Sequence, residues 1–82
     1  MRLLLLSPEK TLFDGEVDSV TIPGTKGSFT VLPHHAPLIT TIEKGSITYS
    51  VKEVETSIMI KEGFAEVKND VVSICIEKVV TE

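Results

Sequence analysis

"GSITYSVKEVETSIMI" (residues 45–60) decides the fold class. Ile47, Tyr49 and Val51 fall on one side of an extended chain. Beyond Lys52-Glu53, Val54, Thr56, Ile58 and Ile60 repeat the pattern, with Glu55, Ser57 and Met59 opposite them. A period of two is the signature of a half-buried β-strand, because successive side chains on a pleated backbone point to opposite faces. Two such runs joined by two polar residues read as a hairpin.

The same signals recur in both directions from this hairpin. "GFAEVKN" and "VVSICIE" form a second hairpin around Asn69-Asp70. Upstream, "SFTVL" and "PLITTIE" are short strands, and "PGTKG" is a turn with glycine at each end. "KTLFDGEV" carries Asp14-Gly15 between apolar residues, a strong hairpin cue because glycine accepts the positive φ of a tight turn. "RLLLLS" is a continuous apolar run, which suits a strand covered on both faces. Helix signals are nearly absent. The count is about nine short strands with turn cues every ~8–12 residues, which reads as an all-β sandwich or barrel in one domain, residues 1–82.

Composition narrows the function. The chain has 82 residues and is 41% hydrophobic, enough for one modest core. Its net charge is −4, and no basic cluster offsets it, so a phosphate backbone is repelled and nucleic acid is not an expected partner. Cys75 is the single cysteine, which excludes an intrachain disulfide and argues against a thiolate metal cage. The four leucines after Arg2 fall short of the roughly 7–15 apolar residues of an export signal. No run approaches the ~20 residues of a membrane-spanning helix. The expectation is a soluble protein in a reducing, cytoplasmic setting.

"VLPHHAPLIT" (residues 31–40) is the one segment that invites a chemical reading. In an extended segment His34 and His35 point apart, so they do not easily share a metal ion, and no spaced acidic cluster supplies further ligands. A histidine base needs a nucleophile and an orienting carboxylate, yet Ser7, Ser28 and Cys75 stand isolated. "PGTKG" lacks the spacing and ending of a phosphate-binding loop. The expectation is no catalytic residue, no metal and no cofactor. Two readings remain level on local chemistry. One is a stiff docking loop, since Pro33 and Pro37 restrict it before any partner arrives. The other is a purely structural crossover between two sheets.

"LPHHAPL" resembles the "PGHAPL" signature of the epsilon subunit of bacterial F-type ATP synthases, in its amino-terminal β-sandwich domain. The likeness is carried further by Ser7-Pro8-Glu9, Phe13-x-Gly15, Val20, Pro23-Gly24 and Gly27, and by Gly63, Glu66, Val67, Asn69 and Val71. It runs from about residue 3 to residue 78 with these markers in order. The resemblance implies a sandwich or flattened barrel of about ten strands. It also implies a non-catalytic rotor subunit of the central stalk, held between the gamma subunit and the c-ring, peripheral to the cytoplasmic side of a bacterial plasma membrane and not inserted in it.

By the same resemblance, Ser7 and His35 are placed near gamma, and Lys26, Gly27, Ser28 and Phe29 near the c-ring. The chain departs from the family pattern at three positions. Ser28 stands where a glutamate commonly follows the glycine, Thr30 replaces a second glycine, and His34 replaces the glycine before the motif histidine. A left-handed backbone at His34 would therefore be strained. These changes suggest a divergent branch whose partner loops have co-adjusted. Nothing after "VVTE" could form the helical hairpin that most members carry, so neither an ATP site nor a helical brake is expected in this polypeptide, nor a C-terminal helical domain. The alternative role is a free-standing β-sandwich binding module recruited to another assembly. A small metal-dependent enzyme is a distant third.

Overall fold

A computed structural model describes the backbone of residues 1–79 and the side chains of residues 1–77. The expectation drawn from the chain end after Val79 lies outside the described residues. Eight strands follow in order: β1 (Arg2–Leu6), β2 (Thr11–Glu16), β3 (Ser19–Gly24), β4 (Gly27–Val31), β5 (Leu38–Ile42), β6 (Gly45–Val51), β7 (Val54–Lys68) and β8 (Val71–Val79). The described residues contain no helix, and thus none long and apolar enough to cross a membrane.

Strand β7 belongs to both layers. Its first half, Val54 to Ile60, pairs with β6, which pairs with β3, which pairs with β4. Its second half pairs with β5 on one edge and β8 on the other, and β8 continues to β1 and β2. Strands β3 and β5 touch at Gly24 and Ile42, closing one side into a flattened barrel. A straight run of 15 residues would reach ~50 Å. The longest dimension of the molecule is 33 Å, so β7 must bend. It does so where its register against β8 shifts, on either side of Glu62. There a Cβ on Gly63 would collide with the Cys75 carbonyl oxygen and stand 2.9 Å from the Ile76 Cα. Glycine lets the two backbones close at the corner.

The count of eight corrects both the nine strands read from the sequence and the ten implied by resemblance. "VETSIMI" and "GFAEVK" are one bent strand; Lys61-Glu62 sits in the bulge and does not break it. The Asp14-Gly15 cue was also misleading. Both residues lie inside β2, where Asp14 accepts two hydrogen bonds from Arg2 at 3.0 and 3.1 Å across the ladder. The real turn is at Ser7–Lys10, closed when the Lys10 amide donates to Ser7 Oγ and the Ser7 hydroxyl and amide both donate to the Lys10 carbonyl. The turns at residues 25–26, 52–53 and 69–70 fall where the sequence puts them.

Alternation fills the space between the layers with Leu3, Leu5, Val20, Ile22, Val31, Ile47, Ile60, Val67, Val72, Ile74 and others, all buried. Each such side chain contributes about 1.5–3 kcal/mol by leaving water. Phe13 of β2 packs on Tyr49 of β6 with ring centroids 4.5 Å apart, tying the layers together. Replacing Gly63 by Ala is expected to destabilise the fold by about 1–3 kcal/mol, since either β8 or the bulge must shift. An unchanged midpoint of chemical unfolding would show that the corner has slack.

Candidate functional site

The outward faces of the two layers differ in chemistry. On the layer of β4, β3, β6 and the first half of β7, hydroxyls satisfy one another. Thr21 and Thr30 Oγ1 are 2.9 Å apart, Thr48 Oγ1 and Ser57 Oγ are 2.9 Å apart, and Ser46 Oγ donates to Met59 Sδ at 2.8 Å. Such a face is content in water.

The other outward face is not. In β1, Leu3 and Leu5 enter the core, so Leu4 and Leu6 point out and are only half-buried. The expectation that "RLLLLS" is covered on both faces is therefore corrected: among the described residues one face is only partly covered. Register extends the strip sideways. Leu6 lies beside Cys75, Cys75 beside Phe64, and Phe64 beside Thr41, with Ile39 one pleat along. Phe64 is 50% exposed and Ile39 74%. Neither is a position that motif reading found. The signal was present, because Ala65 and Val67 alternate inward and leave Phe64 facing out.

Phe64 is also a shared wall. With Leu6, Ser7, Pro8 and Cys75 it lines a groove of ≈ 180 Å³. With Thr25, Lys26, Ile39, Thr40 and Thr41 it lines another of ≈ 400 Å³. The structure thus brings two of the sequence-read surfaces, Ser7 and the β3–β4 hairpin, to opposite sides of one aromatic ring. At the hairpin Lys26, Gly27 and Ser28 are exposed, and Gly27 has a φ of 126° that favours glycine. Phe29 is half-buried instead and lies over Gly24, where a Cβ would stand 3.1 Å from its ring. It braces the hairpin from beneath.

His35 is not part of that cluster. It lies beyond the other end of the sheet, in the loop from β4 to β5 that crosses between the layers. Its Nδ1 is 2.7 Å from the Ala36 carbonyl oxygen. A carbonyl can only accept, so Nδ1 carries the proton, and in the neutral ring Nε2 is left as the acceptor. His34 is not extended, as the argument against a shared metal assumed. Its φ is 66°, the strained left-handed geometry expected if the family glycine position kept its shape. The His34 amide donates to Asp70 Oδ1 at 2.9 Å, and the Met1 amino group is 3.6 Å from Asp70 Oδ2. Among the described residues no group of three or more His, Cys, Asp or Glu is placed to hold a metal ion.

The bond from the His34 amide, aided by the Met1 ammonium and the His34 ring and opposed by partial desolvation, holds the Asp70 carboxyl below its ordinary value of 3.8. A carboxylate lowered in the folded state contributes stability that is complete above the unfolded value and lost as pH falls through the folded one. The His34 amide resonance should therefore shift with an acid midpoint below 3.8. A midpoint at or above that value would mean that the carboxylate does not hold the loop.

The whole chain, residues 1–82, matches the family described as the ATP synthase delta/epsilon chain β-sandwich domain. It is 43% identical over 74 residues to the ATP synthase epsilon chain of Leptospira borgpetersenii, a match covering 90% of this chain and 58% of that one. It is 51% identical over 63 residues to the epsilon chain of Maricaulis maris, covering 77% and 47%. This chain therefore spans about half the length of these relatives. Among solved structures it superposes on a chain of the Euglena gracilis mitochondrial ATP synthase (OSCP/F1/c-ring) with a TM-score of 0.88 and 25% identity, covering 95% of this chain and 51% of that chain. A chain of the Tetrahymena thermophila enzyme (central stalk/c-ring) shares the fold with a TM-score of 0.81 at 18% identity, covering 98% and 65%.

Proposed function

Since the chain belongs to the ATP synthase delta/epsilon β-sandwich family, we propose that it is a rotor component of the central stalk, seated between the gamma subunit and the c-ring so that ion-driven rotation is coupled to ATP synthesis. It performs no bond chemistry and does not bind nucleic acid. As part of such an assembly it is peripheral to the membrane, on the cytoplasmic side of the bacterial plasma membrane.

The observation that carries this reading is the part-exposed apolar strip Leu4–Leu6–Cys75–Phe64–Ile39, whose inward-facing neighbours already fill the core. The described residues cover it only in part, and the gamma subunit is assigned that place, with Ser7 at one end of the strip and His35 beyond the other. Lys26, Gly27 and Ser28 form the ring-side tip, held by Phe29. A shared wall at Phe64 puts shaft and ring contacts on one rigid element, which suits a part that must pass torque without slipping.

A large aromatic at the centre of a contact commonly carries much of its binding energy. Phe64→Ser is expected to weaken binding to the gamma subunit by about tenfold or more while leaving the unfolding midpoint close to that of the parent. Binding of that variant at full strength in titration calorimetry would place the gamma contact elsewhere.

A further inference from the structure

The histidine loop, residues 32–37, hangs between the edge strand β4 and β5. Outside the strand ladders, the described residues give it one hydrogen bond to the rest of the chain, from the His34 amide to Asp70 Oδ1 at 2.9 Å. That bond lands on the residue whose backbone is least content, since a φ of 66° is disfavoured for any side chain with a Cβ. Asp70 is itself aimed by its turn. Asn69 and Asp70 have φ values of 53° and 62°, the paired left-handed residues of a tight hairpin, and both residue types tolerate that geometry. The Arg2 amide donates to the Asp70 carbonyl at 3.1 Å and fixes the same turn to β1.

We propose that Asp70 is a positioning residue for the shaft contact: its carboxylate holds His34 in the left-handed conformation and so fixes where His35 presents Nε2 to the gamma subunit. The inference rests on the reading of His35 as a gamma contact. Asp70 does not itself touch the partner in this scheme. It reaches the contact through the loop, across 36 positions of sequence.

Glycine at position 70 removes the carboxylate yet keeps the positive-φ turn without strain, so the fold is spared the defect that alanine would introduce. In Asp70→Gly the His34 amide is expected to exchange with solvent about tenfold faster, and affinity for gamma to fall about five- to tenfold. Asp70→Asn keeps an oxygen acceptor and tolerates the same turn, and should restore both to within about twofold. With His34→Gly as background, Asp70→Gly should cost less, because glycine enters the left-handed conformation without the strain that the clamp offsets at His34. Unchanged exchange and affinity in Asp70→Gly would overturn the proposal, as would Asp70→Asn proving equally damaging. If the parent chain binds no gamma at all, the shaft-binding role falls, while the exchange rate of the His34 amide in Asp70→Gly still decides whether the clamp exists.

Discussion

The approach of two backbones at Gly63 is the constraint on which the structure depends. A strand of 15 residues crosses from one layer to the other, and it can do so within a body 33 Å long only by bending. The bend occurs where the Cys75 carbonyl and the Ile76 Cα leave no room for a side chain. Once β7 turns there, its two halves become neighbours of different strands, β6 in one layer and β5 with β8 in the other. Alternation then fills the core, with Ile58 and Ile60 of the first half and Ala65 and Val67 of the second facing inward.

The same corner decides where the contacts sit. Phe64 follows Gly63 directly, so the ring leaves the bend pointing outward beside Thr41 and Cys75. The β3–β4 hairpin is drawn to it because the Thr25 amide donates to the Thr41 carbonyl at 3.2 Å and the two threonine hydroxyls meet at 2.9 Å. Hence the Ser7 turn and the Lys26 tip flank one aromatic side chain. Chemistry separates the two outward faces as well: hydroxyl pairs close the polar one, while leucine, cysteine, phenylalanine and isoleucine leave the other wanting a partner.

Much of this was legible in the sequence. Period-two alternation located the strands, and the dipeptides Lys52-Glu53 and Asn69-Asp70 located turns whose φ values are positive at both residues. The motif around His35 and the Lys26–Phe29 segment lie at the two ends of one sheet, with Lys26, Gly27 and Ser28 exposed and His35 and Phe29 half-buried. What was hidden depended on distance along the chain. Asp14-Gly15 has the local chemistry of a turn, but Arg2, twelve residues away, holds Asp14 in a ladder. Lys61-Glu62 looked like a break because a bulge interrupts alternation just as a loop does. The Asp70 carboxylate meets the His34 amide only because the fold brings the β7–β8 turn beside the crossover loop.

The central claim is that the strip beside the Gly63 corner is covered by the gamma subunit, and Cys75 is a natural reporter of it. It is the one cysteine of the chain, half-buried, and paired in register with Leu6 on one side and Phe64 on the other. The decisive measurement is the rate at which a maleimide modifies Cys75 in the free chain and in the chain saturated with gamma. Burial of the strip predicts a fall of about tenfold or more in that rate. A rate unchanged by a gamma subunit shown to be bound would contradict the account.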